Sequence, residues 1–293
     1  MSRQSDVLRA AAAQIDVVPF DAEANAAKHE EMIGRARQEG ADLVVFPELS
    51  LAGYNVGARS YEAAISRDDP LLSELAAIAQ DISAVVGFVE EGYAAQFFNS
   101  AAVLRDGEVV FVHRKLNLAN YGALEEGKFF AQGRYIEPFP LHGSFSGAVL
   151  TCADMWNPAL VHLAALHGAT LLVSPTASSH DAVSRAFSNP RGWDTVLRFY
   201  AMIYGLPIVM ANRVGTEGGL EFWGGSRIVD ANGDVVASAG WVSEDLILTD
   251  IDYLDVRRSR FELPTVRDSN LSLVQREIDR LSGLLGVPGE LGR

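Results

Sequence analysis

Short apolar runs alternate with helical stretches along most of the chain. The run Leu43–Phe46 has the length of a strand and no polar interruption, which is typical of a strand buried on both faces. Comparable runs predict the other strands, at residues 7–15, 84–89, 100–104, 108–112, 147–151, 170–173, 207–211, 226–229, 235–238 and 246–251. The pattern therefore predicts a fold with many short strands.

Capping and stop residues mark the predicted helices between these strands. Asp69 is suited to cap a helix whose first position is Pro70, where proline costs no hydrogen bond. Further helices are predicted over residues 21–40, 157–168 and 193–204. Near the C-terminus, spacings of three, four and seven residues predict an amphipathic helix, through Leu271, Val274, Ile278, Leu281 and Leu285.

Two dipeptides between neighbouring strands favour antiparallel hairpins. Asp106-Gly107 joins the strands predicted at 100–104 and 108–112, and Asn232-Gly233 lies between the strands predicted on either side of it. Alternation of strands and helices combined with hairpins favours a layered α/β sandwich over a purely parallel sheet. No low-complexity linker or short-period repeat interrupts the pattern, so we expect a single domain.

Composition narrows the classes of partner. The 293 residues include 24 basic and 38 acidic ones, which gives a net charge of −14. Because few cations are available to neutralise phosphates, this charge argues against binding to nucleic acid or to an anionic membrane surface. The single cysteine, Cys152, excludes an intrachain disulfide, so the core alone must stabilise the fold.

The sequence carries no signal for secretion or for a membrane span. Residues 155–180 contain no Asp, Glu, Lys or Arg. They do include prolines, histidines and several Ser and Thr, so they do not form an apolar span. The N-terminal segment has no apolar run of secretory type and reaches Asp16 early. We therefore expect a cytoplasmic protein.

Cys152 follows the apolar run 147–151 and precedes the helix that Asn157 is predicted to cap. A thiol at such a turn is held by a rigid strand and faces the positive end of the helix dipole. Both effects suit a thiolate nucleophile. A small buried hydrophobic side chain is the alternative interpretation of a lone cysteine.

Two charged residues also follow predicted strands. Glu48 comes shortly after Leu43–Phe46, where burial would raise the pKa of its carboxyl group toward the range of a general base. Lys115 follows the strand predicted at 108–112, and its ammonium group would stabilise a developing oxyanion. Taken singly, a solvated loop glutamate and a surface lysine are the alternatives.

Neither the histidines nor the glycines support a metal or cofactor site. His162 and His167 lie five positions apart on one predicted helix, so they do not share a face. The sequence contains no CxxC or HExxH motif, and its glycine-rich segment 215–219 does not form GxGxxG after a strand. We expect no metal ion and no organic cofactor.

Three segments, in order, resemble the nitrilase (carbon–nitrogen hydrolase) superfamily. They are FPEL around Glu48, HRKLNL around Lys115 and LTCADMW around Cys152. FNSA at 98–101, ANR at 211–213 and FWGGSRIVDANG at 222–233 are further family-like pieces, so the resemblance covers about residues 8–252. LANYGALEEGKFF and RDSNLSLVQREIDRL look particularly like the glutaminase domain of glutamine-dependent NAD synthetases.

The resemblance implies a four-layer αββα sandwich and a set of roles. Cys152 would be the nucleophile, Glu48 the general base and Lys115 the oxyanion stabiliser. Many members have a second glutamate after the lysine, three residues before an aromatic pair. Glu126 occupies that place, whereas Glu125 is one residue off.

The resemblance also suggests how the chain is divided and assembled. We expect residues 1–260 to form the carbon–nitrogen hydrolase domain and residues 261–293 to form a C-terminal extension. Because family members commonly dimerise or form larger assemblies, we expect a homodimer or higher homo-oligomer. The amphipathic helix of the extension is a candidate for its interface.

The residue after the cysteine departs from the family pattern. Members often carry glutamate, tyrosine or tryptophan there, whereas this chain has Ala153 followed by Asp154. The C-x-D form resembles amidase branches and favours amides over nitriles. The backbone N–H of Ala153 is predicted to contribute to an oxyanion hole. Loops expected to line the pocket contain Tyr54, Trp156, Trp193 and Trp223.

These observations lead to a hypothesis about function. We expect a cysteine-dependent amidohydrolase that cleaves a small linear amide or carbamoyl compound through a thioester acyl-enzyme, releasing ammonia and an acid. The only partner that this reaction requires is the small-molecule amide. The alternatives are a glutaminase that delivers ammonia to a synthetase, a nitrilase, and an inactive binding member of the fold.

Overall fold

The computed structural model describes residues 6–184 and 186–285, with the backbone alone for residue 285. Residues 286–293 of the predicted extension lie outside this part of the chain. The helices are α1 (Ala22–Gln38), α2 (Ser60–Ala63), α3 (Pro70–Ala79), α4 (Pro158–Leu166), α5 (Asn189–Tyr204), α6 (Tyr253–Glu262) and α7 (Leu271–Leu285).

The strands are short, as the apolar runs predict. They are β1 (Val7–Gln14), β2 (Leu43–Val45), β3 (Ser83–Glu91), β4 (Phe97–Arg105), β5 (Glu108–Arg114), β6 (Phe139–Pro140), β7 (Ser146–Val149), β8 (Leu171–Thr176), β9 (Ile208–Asn212), β10 (Val214–Glu217), β11 (Leu220–Trp223), β12 (Arg227–Val229), β13 (Val235–Ser238) and β14 (Asp245–Asp252).

Most strands belong to two six-stranded sheets. Sheet I has the order β14-β1-β2-β3-β4-β5, and sheet II has the order β13-β12-β9-β8-β7-β6. The central strands β1, β2 and β3 run parallel, as do β7, β8 and β9, while the outer pairs are antiparallel. The predicted hairpins are confirmed as β4–β5 and β12–β13.

Alternation along the central strands produces the layers. Leu43 and Val45 of β2 pack in the cluster that holds Val173 of sheet II, so the two sheets face each other. Val44, on the opposite face of β2, packs with Leu75 of α3 on the outer side of sheet I. Because successive strand residues point to opposite faces, each central strand serves both layers.

Sheet II repeats the arrangement on its own outer side. Leu172 of β8 packs with Val161 of α4 and Leu197 of α5, while its neighbours on the strand face sheet I. The order of layers is therefore helix, sheet, sheet, helix. This confirms the predicted αββα sandwich.

The sequence pattern did not predict several elements. The β10–β11 hairpin stands apart from both sheets as a two-stranded unit, with Gly218 and Gly219 at its turn. Helix α6 spans the boundary predicted between residues 260 and 261, so the predicted extension begins inside that helix. In the predicted amphipathic helix, now α7, the apolar side chains of Leu271, Val274, Ile278 and Leu281 are exposed, and the side chain of Leu285 lies outside the described part of the chain.

Candidate active site

The three residues singled out by their position after strands are all buried. Glu48 follows β2, Lys115 follows β5 directly, and Cys152 follows β7 after two residues. Lys115 is 0% exposed, Glu48 1% and Cys152 8%. Since β2 and β7 end their parallel pairings just before these positions, the carboxyl ends of both sheets deliver side chains to one region.

A strained loop presents Glu48. Leu49 has a φ of +50°, in the left-handed region that non-glycine residues rarely adopt. The loop packs on Gly87 of β3, where a Cβ atom would lie 2.4 Å from the Leu49 nitrogen and 2.5 Å from the Pro47 oxygen. Any side chain at position 87 would displace this backbone, so glycine is required for Glu48 to stand where it does.

The Glu48 carboxylate uses both oxygens. Its Oε1 accepts hydrogen bonds from Lys115 Nζ at 2.5 Å and from Asn99 Nδ2 at 2.8 Å. Its Oε2 accepts from the backbone N–H of Ala177, just after β8, at 3.1 Å. These bonds join sheet I to sheet II at the site. Burial raises the pKa of Glu48 and outweighs the opposing effect of the Lys115 charge.

Lys115 lies between two carboxylates. Besides Glu48, its Nζ donates to Glu126 Oε1 at 2.7 Å. Burial by itself would lower the pKa of the ammonium group, but the charges of Glu126 and Glu48 together raise it well above its usual value. Lys115 is therefore a fixed cation in a region shielded from water, where charge interactions are strong.

Glu126, and not its neighbour Glu125, belongs to this cluster. Glu126 Oε1 also accepts from the Tyr54 hydroxyl at 2.6 Å, and its Oε2 accepts from the Ala119 backbone N–H at 3.0 Å. Glu125 is exposed and pairs with Lys128. The register predicted for the second glutamate thus matches the buried position.

Cys152 begins a tight 3₁₀ turn, Cys152–Trp156, that leads into α4. Its backbone φ is +44°, again in the left-handed region. Burial and the charge of Glu48 raise the pKa of the thiol well above its usual value, against the lowering effect of Lys115 and of a hydrogen bond from the Ala177 backbone. A thiol with a raised pKa needs a base to become a thiolate nucleophile.

The geometry supplies such a base and a place for negative charge. Glu48, Lys115 and Glu126 are the charged groups that act most strongly on the Cys152 thiol. A carboxylate with a raised pKa can accept the thiol proton, and a buried ammonium can stabilise an oxyanion. The group can therefore carry out nucleophilic acyl chemistry.

Asp154 is a residue whose importance the sequence pattern did not show. It is fully buried, and its Oδ1 accepts from the backbone N–H groups of Leu116 at 3.0 Å and Asn117 at 2.6 Å. Its Oδ2 accepts from the Thr151 N–H at 3.0 Å and faces His113 Nε2 at 3.2 Å. One carboxylate thus fastens the chain on both sides of Lys115 to the turn that holds Cys152. The only sequence signal was the aspartate of the C-x-D form.

The other predicted pocket residues have different surroundings. Ala153 is buried in the turn after Cys152, and Tyr54 reaches the charged cluster through Glu126. Trp156 packs its ring 5.2 Å from that of Trp193, which is fully buried and donates to Ser178. Trp223 is also buried in the core on the outer side of sheet II. The pocket roles of Ala153 and Trp156 stay predictions.

A second feature near β5 does not involve these residues. An open cleft of about 820 Å³ borders β5 and the segment 131–137, and His113 and Arg114 are among its lining residues. None of the predicted site residues lines it. Within the described ranges, no three His, Cys, Asp or Glu side chains are grouped to hold a metal ion, and no helix is long and apolar enough to cross a membrane.

Comparison with known proteins identifies the family of this chain. The sequence model of the carbon-nitrogen hydrolase family matches residues 9–261. The glutamine-dependent NAD(+) synthetase of Thermotoga maritima is 31% identical over 84% of this chain, but the match covers 42% of that protein. The chain spans about half the length of the synthetases it matches.

Two further proteins are similar over nearly their whole length. The citrullinase of Francisella tularensis is 26% identical, and the match covers 89% of this chain and 94% of the citrullinase. The structure of an amidase of the nitrilase superfamily from Nesterenkonia AN1 superposes with a TM-score of 0.78 at 26% identity, covering 94% of this chain and 98% of the amidase. The family match over most of the chain, together with the buried cluster around Cys152, leads to one conclusion: this chain is a member of the carbon–nitrogen hydrolase family.

Proposed function

We propose that this chain is an amidohydrolase that cleaves the C–N bond of a small linear amide or carbamoyl compound through a thioester on Cys152. The observation that carries the proposal is the buried Lys115 ammonium, bonded to both Glu48 and Glu126 and acting on the Cys152 thiol. This arrangement provides a nucleophile, a base and a cation in one water-shielded place.

Glu48 is the base of the first step. As the Cys152 sulfur attacks the carbonyl carbon, Glu48 accepts the thiol proton and the carbonyl oxygen becomes an oxyanion. Lys115 stabilises that oxyanion, assisted by the Ala153 backbone N–H. A single preorganised donor of this kind is worth about 3–4 kcal/mol. The raised pKa of Glu48 suits it to hold the proton until the next step.

Collapse of the tetrahedral intermediate completes acylation. The protonated Glu48 donates its proton to the amide nitrogen, the C–N bond breaks, and ammonia leaves the thioester behind. Glu48, again a carboxylate, then removes a proton from water, whose oxygen attacks the thioester carbonyl. The C–S bond breaks, the thiolate recovers the proton from Glu48, and the acid is released. The sum is amide plus water giving acid plus ammonia.

Glu126 has a supporting role in this scheme. Its carboxylate is fixed by Lys115, Tyr54 and Ala119, so it presents a rigid acceptor at the edge of the charged cluster. We propose that Glu126 orients the amide or the attacking water. The reaction requires a small-molecule amide and water, and we retain a cytoplasmic location and a homo-oligomer as predictions.

A second candidate, a glutaminase that supplies ammonia to a synthetase, has its own support. The NAD synthetase of Thermotoga maritima has a higher identity to this chain than the citrullinase does. In addition, Tyr121 of the LANYG segment is 38% exposed, and its pKa is raised first by partial burial and then by the nearby Cys152. This segment carries the resemblance to glutaminase domains, and it stands next to the nucleophile.

Ammonia release from a panel of amides tests the proposal and separates the candidates. The panel contains short aliphatic amides, ureido compounds such as citrulline, and glutamine. We expect turnover of at least one compound, an acyl adduct on Cys152 by intact mass, and loss of both in Cys152→Ala at an unchanged melting temperature. Preference for glutamine would favour the second candidate. Full turnover by Cys152→Ala would overturn both.

A further inference from the structure

The β10–β11 hairpin is attached to the edge of the molecule where the active site lies. Val214 forms a bridge with Asp16, directly beyond β1, and Phe222 forms a bridge with Ser179, beyond β8. The backbone N–H of His180 donates to the Glu221 carbonyl at 2.9 Å. The hairpin therefore spans the ends of strands from both sheets without joining either sheet.

Glu217, at the tip of this hairpin, binds the loop that carries Tyr54. Its Oε2 accepts from the Tyr54 backbone N–H at 3.0 Å, and its Oε1 accepts from the Asn55 N–H at 2.8 Å. At Gly53, with φ +95°, a Cβ atom would lie 2.9 Å from Glu217 Oε1. A side chain at position 53 would therefore collide with the Glu217 carboxylate.

Arg213 holds Glu217 in that position and is itself buried on all sides. Its guanidinium group donates to Glu217 Oε2 and, at 3.0 Å, to the Val17 carbonyl. It also lies 4.3 Å from the centre of the Phe222 ring, and that ring meets Tyr54 edge-on at 6.0 Å. Backbone and ring of Tyr54 are both fixed by groups that depend on Arg213.

Tyr54 connects the hairpin to the charged cluster of Glu48, Lys115 and Glu126. Its hydroxyl donates at 2.6 Å to Glu126 Oε1, the same oxygen that receives the Lys115 ammonium at 2.7 Å. The position of a tyrosine hydroxyl on one carboxylate oxygen depends on the position of the tyrosine backbone. The hydrogen-bonded path therefore runs from Arg213 through Glu217 and Tyr54 to Glu126 and Lys115.

We propose that Glu217, held by Arg213, is a positioning residue for the amide chemistry of this site, and that it acts through the Tyr54 hydroxyl on Glu126. This inference rests on the proposed function. A purely structural role accounts poorly for the pair, because a buried ion pair adds little net stability over well-packed apolar residues. Its two loop hydrogen bonds converge on a residue that contacts the charged cluster.

The test is a double-mutant cycle between Glu217→Gln and Tyr54→Phe. Glu217→Asp is the second variant, because it keeps the charge opposite Arg213 while shortening the arm that reaches the loop. Asp194→Asn is the matched control, since it breaks the ion pair of another buried arginine, Arg227, that lies between α5 and β12. Each variant is measured for kcat and KM on the best amide of the panel, and for melting temperature.

We expect Glu217→Gln, Glu217→Asp and Tyr54→Phe each to lower kcat/KM about tenfold or more, a change typical of coupled contacts. Because Glu217 acts through the Tyr54 hydroxyl, adding Glu217→Gln to Tyr54→Phe should lower kcat/KM no further. Asp194→Asn should keep the wild-type kcat/KM. Defects that multiply in the double variant, or wild-type kinetics in folded Glu217→Asp, would overturn the proposal.

A readout that needs no turnover separates this inference from the proposed function. Lys115 lowers the pKa of the Cys152 thiol and Glu126 raises it, so displacement of the Glu126–Lys115 pair should change the rate at which iodoacetamide alkylates Cys152. Failure of wild-type protein to release ammonia from any amide would reject the proposed function alone. Alkylation rates of Glu217→Gln and Tyr54→Phe equal to that of wild type would reject the positioning role.

Discussion

Lys115 and Glu48 form an ion pair of 2.5 Å with both side chains sealed from solvent. Such a pair is stable only because each partner has further hydrogen-bonding groups, which are Glu126 for the lysine and Asn99 and Ala177 for the glutamate. Removal of one member would leave the others charged in a medium that solvates charge poorly. Catalytic charge and folding stability are therefore linked at this point.

The first prediction concerns Lys115→Met. The substitution leaves Glu48 and Glu126 buried without their cation, so we expect a loss of about 3–5 kcal/mol in the free energy of unfolding. Turnover should fall by about a hundredfold or more, because the oxyanion loses its cation. The matched control is Lys128→Met, which removes an exposed lysine paired with Glu125. Equal stability of the two variants in urea unfolding would contradict the prediction.

The second prediction concerns the acidic limb of the pH–rate profile. Burial is the largest effect that raises the pKa of Glu48, and the Lys115 charge lowers it. The Glu126 charge raises this pKa further. Glu126→Gln removes that charge, so the pKa of Glu48 should fall and the limb of kcat/KM that reports deprotonation of the base should move to lower pH. Glu125→Gln, at an exposed position, should leave the limb unchanged. A limb displaced to higher pH in Glu126→Gln would exclude this assignment of the base.

The third prediction concerns Asp154→Asn. The amide keeps one acceptor oxygen, but its NH₂ group replaces the other. That NH₂ group must then face backbone N–H donors, either those of Leu116 and Asn117 or that of Thr151. We expect kcat/KM to fall at least about tenfold, because loss of a buried partner misplaces Lys115 relative to Cys152. Asp181→Asn, at an exposed position after β8, is the control. Wild-type kcat/KM in Asp154→Asn would show that the clamp is dispensable.

The fourth prediction concerns stability against pH. His29 is fully buried, with Nδ1 2.7 Å from the Asn25 carbonyl and Nε2 2.9 Å from the Ser50 hydroxyl, and burial lowers its pKa from 6.5 to about 4. Above pH 6.5 the folded and unfolded chains both hold neutral His29, and its contribution to stability is complete. As the pH falls from 6.5 to about 4, the unfolded chain gains a proton first, so up to about 3 kcal/mol is lost.

Chemical unfolding between pH 7 and pH 4 measures this contribution. His29→Gln should reduce the pH dependence of the unfolding free energy, although the variant is less stable at pH 7. His167→Gln, at an exposed position, should retain the wild-type dependence. An identical slope for wild type and His29→Gln would place the acid sensitivity elsewhere.

The fifth prediction concerns assembly. Apolar side chains between residues 271 and 284 of α7 are exposed, with Ile278 at 57% and Leu271 at 53%, and we propose that they lie at an interface between copies of this chain. Ile278→Glu should lower the mass found by analytical ultracentrifugation. Gln275→Glu, which adds the same charge elsewhere on the helix, should not. An unchanged mass in Ile278→Glu would remove α7 from the interface.

Local patterns predicted a layered α/β sandwich and candidate residues of the charged centre. The apolar run Leu43–Phe46 and its counterparts indicate strands buried on both faces, which favours a layered α/β sandwich, and the family resemblance implied its αββα order. Glu48, Lys115 and Cys152 could be selected because each comes just after a strand end. The position of Glu126 was predicted from the family resemblance. Its spacing from an aromatic pair gives no physical reason to expect a catalytic carboxylate there.

The remaining groups depend on distant parts of the chain. Asp154 meets Leu116 across 38 positions, and Glu217 meets Tyr54 across 163, so no periodicity could pair them. The Ala177 backbone N–H has no side-chain signature at all. The β10–β11 hairpin was missed because its strands are short and contain polar residues, and it forms by contact with loops.

At Cys152 the side chain proposed as the nucleophile is attached to a left-handed backbone that costs folding stability. A side chain in that region costs about 1–2 kcal/mol relative to glycine, which adopts it freely. Among random substitutions at this position, glycine would relieve the strain and abolish the nucleophile together. A laboratory selection for thermal stability alone would therefore tend to discard the cysteine, whereas a selection for turnover must tolerate a less stable protein to keep it.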